Sequence, residues 1–228
     1  MNRLIPPLIF GLAGIAVLVS LAIWQFQRLH WKNTILADIE ARIIAEPVGV
    51  PARPDPVTDR YLPVEVSGRL GTPFLRILAS RKKIGAGYRV ISPLQLADRL
   101  ILVDRGFIKL ADDVPAVPDQ LVTFTGNLHW PDEVDGYTPV PDYDENIWFA
   151  RDVPAMAAAL STEPILLVVR TSSLSPPQLS PMPVDSKGIA NNHLQYALTW
   201  ISLAVIWLCM TSFYIIRTKP KAQNRKLM

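Results

Sequence analysis

Two apolar runs frame the chain, and the polar pattern between them changes character along the way. The first run, residues 4–23, carries no charged side chain. About twenty helical residues at ~1.5 Å rise each cover a ~30 Å hydrocarbon core, so a membrane-spanning helix is expected there. Pro6 and Pro7 fall in its first turn, where a missing N–H costs least. The second run, residues 194–216, is also uncharged, with Gln195, Thr199, Ser202 and Thr211 as polar interruptions. Backbone groups facing lipid must be satisfied internally, so this run too is expected as a helix. Trp200, Phe213 and Tyr214 lie near its ends, where aromatic residues favour the interface.

Residues 24–45 switch to helical periodicity, with Trp24, Leu29, Ile35, Leu36, Ile39 and Ile43 recurring on one side. The first span is expected to continue as an amphipathic helix. Trp24, Arg28 and Trp31 fall at i, i+4 and i+7 on one face of it, and Arg28 and Lys32 share a face. Pro47, Pro51, Pro54 and Pro56 then end the helix. Beyond Tyr61 the period becomes two. Strands are expected at 61–68, 74–79, 89–94, 99–105 (closed by Gly106), 121–129 and 165–171, with a short Ala-rich helix at 154–160. Residues 172–185, holding Pro176, Pro177, Pro181 and Pro183, read as a linker. The predicted fold class is a membrane protein: two transmembrane α-helices flank one α+β, mainly antiparallel, exported domain.

Charge adds orientation. Five basic and no acidic residues follow Ile216 (Arg217, Lys219, Lys221, Arg225, Lys226), which places the C-terminus in the cytoplasm. The expected layout is therefore a cytoplasmic stub (1–3), a first span (4–23), an exported region (24–193) with a β-rich core at 61–171, a second span (194–216) and a cytoplasmic tail (217–228). The first run ends in Ile23-Trp24-Gln25-Phe26 without a small-x-small cleavage pattern, which favours an uncleaved anchor over a secretory signal. Half of the residues are hydrophobic, 19% are charged and the net charge is +3. No basic stripe is interleaved with aromatics, so nucleic acid is not an expected partner. The single cysteine, Cys209, lies in the second apolar run, which excludes a disulfide or a Cys-x-x-Cys metal site in the exported region.

The candidate chemistry begins at His193, in the polar entrance Asn191-Asn192-His193-Leu194-Gln195-Tyr196 to the second run. One reading is an interfacial histidine bonded to Asn192 or Tyr196. The other is an axial ligand to haem iron, which neutral imidazole suits. On a helix His193, Ala197, Trp200, Ala204 and Trp207 form one stripe, whose small residues admit either a flat macrocycle or another helix. Arg28 and Lys32 suit haem propionates or lipid headgroups equally well. The acidic residues Asp132, Glu133, Asp135, Asp142, Asp144 and Glu145 have neither EF-hand spacing nor a nucleophile partner, so a solvated loop is the better reading than a calcium or hydrolase site. His30 and His129 stand isolated in sequence. No hydrolase, nucleotide-binding or zinc-protease motif occurs, and catalysis is not expected.

Three blocks carry a resemblance to the surfeit locus protein 1 family of cytochrome c oxidase assembly factors. They are Trp24-Gln25-x-x-Arg28-x-x-Trp31-Lys32; Gly87-Tyr88-Arg89-Val90 with Pro93-Leu94 and Leu102-Val103-Asp104-Arg105-Gly106-Phe107; and Asn191 through Trp200. Val122-Thr123-Phe124-Thr125-Gly126, Asn146-x-Trp148 and Arg151-Asp152 add weaker support. Ala22, Phe107 and Ile201 depart mildly from the family pattern. The resemblance implies an assembly factor of the bacterial inner membrane that helps deliver haem a to subunit I of an aa3-type oxidase. His193 is then the implied axial ligand, with Trp24, Arg28, Trp31, Lys32, Tyr196 and Trp200 around it. Haem a synthase, other assembly factors and the lipid bilayer are the further implied partners. The rival reading is a scaffold that stabilises subunit I without holding haem. Asp104-Arg105 reads as a buried structural pair in preference to a partner-binding feature.

Overall fold

The structure, a computed structural model, describes residues 5–174 and 176–218. The expected stub (1–3), Leu4, Ser175 and the basic tail beyond Thr218 lie outside the described residues. The chain divides into two units: residues up to Ala37 with those from Lys187, and Asp38–Ser186.

The first unit consists of two helices. Helix α1 runs without a break from Ile5 to Ile43, its last turn belonging to the second unit, and the helix here called α3 runs from His193 to Thr218. Both are long and apolar enough to cross a membrane. Their contacts pair early residues of one with late residues of the other, so they pack antiparallel. Trp207 Nε1 donates to the Gly11 carbonyl at 3.1 Å, and Phe10 packs against the Trp207 ring at 5.4 Å. Glycine is required at two points. A Cβ on Gly14 would lie 2.4 Å from the Trp207 ring, and one on Gly11 would lie 2.2 Å from Thr211. Ala22 on α1 and Ala197 and Ala204 on α3 are buried along the same seam. Small residues let the two backbones approach, which is how apolar helices gain packing when the surroundings are equally apolar.

The second unit is a curled sheet of seven strands. They are β1 (Pro63–Leu70), β2 (Leu75–Arg81), β3 (Gly85–Gln95), β4 (Leu100–Lys109), β5 (Leu121–Leu128), β6 (Ile147–Trp148) and β7 (Leu166–Ser172). A short helix, α2 (Val153–Leu160), precedes β7. The order is β1-β5-β7-β4-β3-β2-β6, and β1 pairs back onto the end of β3 through Arg69–Gln95 and Leu70–Leu94. Strands β1, β5, β7, β4 and β3 therefore close a five-strand ring, which leaves no open edge among them. Most pairings are antiparallel; β4–β7 and β2–β6 are parallel.

Two cores follow from strand alternation. Val64, Val66, Leu94, Ile101, Val103, Phe124, Leu167 and Val169 fill the ring. Their neighbours Ile91, Leu102, Leu166 and Val168 point outward beneath α2, against Met156, Ala157 and Leu160. The stretches 101–103 of β4 and 166–169 of β7 are buried on both faces, which is why they read as continuous apolar runs while β5 alternates. Asp152 caps α2 by accepting the Ala155 N–H at 3.1 Å, and Ser161 ends the helix in the left-handed region.

Three expectations need correction. Strand β4 does not close at Gly106. It bulges there, Gly106 adopting φ +112°, and runs on to Lys109. Residues 172–185 are not merely a linker: Ser172 ends β7, and Ser180 exchanges two backbone hydrogen bonds with Phe107, at 2.8 and 2.9 Å. The strap crosses so closely that a Cβ on Gly106 would sit 2.3 Å from the Ser180 oxygen. Asp104 and Arg105 do not pair with each other; Asp104 pairs with Arg89.

Candidate functional site

His193 opens α3, and its environment is set by α1. Its Nδ1 lies 2.8 Å from the Gln25 Oε1, and Gln25 is buried between the helices. Two residues away, Asn191 Nδ2 donates to the Asn33 Oδ1 at 2.8 Å. A neutral imidazole facing that amide oxygen donates to it from Nδ1. Nε2 is then an unprotonated donor atom, and no described residue hydrogen-bonds it. A histidine that ligates a metal is ordinarily oriented this way, through its second nitrogen. His193 is half-buried.

Trp24, Arg28 and Trp31 form a separate patch on α1. The Arg28 guanidinium lies 5.7 Å from the centre of the Trp24 ring and 5.3 Å from that of Trp31. Both rings are exposed, and Arg28 makes no ion pair among the described residues. At about 100° per residue, Arg28 sits roughly 60° around the helix from Gln25. The structure thus brings Trp24, Arg28 and Trp31 together, and brings His193 to Gln25. No hydrogen bond or ring contact joins His193 to Arg28. Lys32 is half-buried and Tyr196 is exposed, neither touching His193 through a hydrogen bond. Trp200 is half-buried, and its Nε1 is enclosed without an acceptor among the described residues. The stripe continuing through Ala197, Ala204 and Trp207 is occupied by α1 itself.

Gln25 is the functional candidate that sequence reasoning missed. It stood inside the first motif, but its partner is 168 residues away.

The other polar centre lies in the barrel. Asp104, 1% exposed, pairs with Arg89 and lies 3.8 Å from Arg151, while its Oδ1 accepts the Gly106 N–H at 3.0 Å. Arg151 grips Glu133 with its side chain and its backbone N–H. Burial raises the Glu133 pKa, but the Arg151 hydrogen bonds and charge outweigh it and hold the group below 4.5. His129 is buried, stacks on Tyr61 at 5.3 Å, and has an unpartnered Nδ1. Burial, then the charges of Arg151 and Arg60, lower its pKa to about 4. Of the remaining acidic residues, Asp135 and Asp142 accept backbone N–H groups of their own loops. No group of three metal-ligating side chains occurs among the described residues, His30 and His129 included.

These residues are the motif positions of a known sequence group. A sequence model of the SURF1 family matches residues 12–205. The chain belongs to the SURF1 family. Among its relatives, surfeit locus protein 1 of Homo sapiens is 28% identical over 226 residues, covering 88% of this chain and 72% of the relative. That of Rattus norvegicus is 27% identical over 212 residues, covering 82% and 69%. A SURF1-like protein of Rickettsia felis is 25% identical over 209 residues, covering 87% and 92%. Within this SURF1 family chain the matched motifs divide by role. Arg89, Asp104, Asn146, Trp148, Arg151 and Asp152 are spent on the fold, Asn146 Nδ2 donating to the Phe74 carbonyl at 2.8 Å. His193, Arg28, Trp24 and Trp31 keep unused binding capacity.

Proposed function

We propose that this protein is an assembly factor for an aa3-type cytochrome c oxidase, holding haem a at His193 before its transfer to subunit I. The reading places both spans in a bacterial inner membrane, with the barrel on the periplasmic side and both termini in the cytoplasm. It rests on the family's oxidase-assembly role and on one observation, the His193–Gln25 hydrogen bond. With Nδ1 engaged by Gln25, Nε2 is the ring nitrogen left for a ligand of the kind haem iron takes. Haem a is cargo here, and its iron supplies one coordination position for an imidazole. Arg28, steadied by two indole rings, offers guanidinium N–H donors to a carboxylate such as a propionate. A single imidazole bond suits a carrier that must release what it holds. Catalysis forms no part of the reading.

Co-expression with a haem a synthesis pathway tests it. The purified protein is expected to show a haem a spectrum that His193→Ala abolishes. Equal haem in both would remove His193 as the ligand.

A non-haem scaffold for subunit I is the second reading. The solvent-facing Tyr137, Val140 and Tyr143, up to 95% exposed, favour it as a surface for a protein partner. Under that reading His193→Ala leaves oxidase assembly normal, and substitutions at Tyr137 and Tyr143 block it.

A further inference from the structure

A cavity in the barrel unit is marked by Arg105. This side chain is 6% exposed and makes no ion pair among the described residues. Its two hydrogen bonds, to the Ser92 Oγ and the Pro115 carbonyl, are both 3.5 Å long, at the limit of such bonds. A guanidinium carries five N–H donors and does not deprotonate in proteins. Burial alone pushes its pKa down, with no acidic group pushing back. The buried Arg89 and the enclosed Arg151 nearby each have a carboxylate partner, which Arg105 lacks.

Burying a charge without a counter-charge is costly, and a ligand that supplies one offsets the cost. Arg105 lines a cavity of about 350 Å³, at the small end of ligand pockets. The other walls are mainly apolar: Leu70 and Phe124 of the barrel, Val169 of β7, and Leu174 and Leu179 of the proline strap. Arg170 also reaches the cavity, but its Nη1 is engaged by the Ile43 carbonyl at 3.1 Å. Arg105 has most of its donors unused, and its planar fork matches a carboxylate. We propose that this cavity binds a monocarboxylate with an apolar body, its carboxylate on Arg105 and its chain among Leu70, Phe124, Val169, Leu174 and Leu179. The strap bearing Ser180 forms the lid of the site, and the Gly106 bulge lets it lie down. This inference does not depend on haem binding.

The test uses the full chain in lipid nanodiscs, with empty nanodiscs as the blank for partitioning. Decanoate is titrated calorimetrically beside decanol, which lacks the charge, and acetate, which lacks the chain. Saturable decanoate binding at one equivalent is expected. Decanol, acetate and the Arg105→Gln variant are each expected to bind at least about tenfold more weakly, since a charge-assisted pair contributes about 1.5–3 kcal/mol. Leu179→Trp, placed on the strap and not in the barrel wall, fills the cavity and gives the same loss if Arg105→Gln fails to fold. Mass spectrometry of carboxylates extracted from the purified protein tells a bilayer fatty acid from a soluble acid, the site being the same for both. Equal affinity for decanoate and decanol, or decanoate binding unaltered in both variants, would overturn the assignment, as would no binding above the blank.

Discussion

Asp104→Asn strips the barrel of its central negative charge while keeping the shape of the side chain. Asp104 supplies the sole ion pair of Arg89 among the described residues, and Arg89 is itself buried. The amide still accepts the Gly106 N–H, so the bulge keeps its hydrogen bond. Arg151 retains Glu133. The loss is therefore concentrated on one stranded guanidinium, for which breaking a buried pair costs about 3–5 kcal/mol. For a unit of this size each kcal/mol moves the melting temperature by about 2–4 °C, so a fall of roughly 6–20 °C is expected. Thermal unfolding of the full chain in micelles, followed by tryptophan fluorescence, measures it; Trp148 sits in the outer core and reports on the barrel. Adding Arg89→Met to Asp104→Asn removes the stranded charge and is expected to restore about half of the loss or more, since ion pairs replaced by apolar groups often prove neutral. A fall of under about 2 °C for Asp104→Asn, or single losses that simply add in the double variant, would refute the ion-pair account.

The pH response of the barrel has a definite sign at His129. The folded state keeps it neutral down to about pH 4, whereas the unfolded chain protonates below 6.5. Its contribution is complete above 6.5 and is lost as pH falls to about 4, by about 3 kcal/mol in total; His129→Gln is expected to flatten melting temperature against pH in that window. Gly106→Ala forces a Cβ against the Ser180 oxygen at a φ that L residues avoid, at a cost of about 1–3 kcal/mol or more. Limited proteolysis is expected to cut the strap around Ser180 faster in that variant, and an unchanged rate would mean the strap does not rest on the bulge. Gln25→Leu frees the His193 ring without removing it. If His193 holds haem a as proposed, retention is expected to fall roughly 10–100-fold, the usual effect of losing such an orienting partner, and difference spectroscopy against wild type measures it.

The strands of the ring were legible where burial is one-sided or continuous. β5 shows alternation, and the first halves of β4 and β7 show apolar runs, because each pattern follows from how many faces are covered. What escaped has physical reasons too. β6 is two residues long and takes its identity from β2, not from its own pattern. The start of β3 reads Gly85-Ala86-Gly87, which lacks any strand preference. There a Cβ on Gly87 would lie 2.1 Å from the Ile108 oxygen. Gly106 looked like a stop because glycine usually punctuates, yet here it supplies a bulge. The ring closure through Leu70 and Leu94 depends on curvature that no local pattern encodes. At the helix pair, the face shared by Trp24, Arg28 and Trp31 followed from helical spacing alone. The His193–Gln25 contact required knowing which faces of two distant helices meet.

Motif residues of this family separate by a single physical criterion, whether their hydrogen-bonding and charge capacity is consumed inside the fold. Asp104, Arg89, Arg151 and Asn146 satisfy one another or nearby backbone, so losing one strands its partner and lowers the amount of folded protein. His193 and Arg105 differ: one has a ring nitrogen unused, the other most of a guanidinium. Substituting Arg105 leaves no charged partner stranded, and substituting His193 releases only the Gln25 amide oxygen. Removing an uncompensated buried cation relieves a desolvation cost, so Arg105→Gln is expected to melt no lower than wild type, whereas Arg89→Gln melts well below it. The contrast between two arginines sixteen residues apart in sequence, on adjacent strands of one barrel, isolates the effect of the missing counter-charge from burial itself. Equal destabilisation by both would mean that Arg105 is held by the fold as Arg89 is, and its capacity would no longer be available to a ligand.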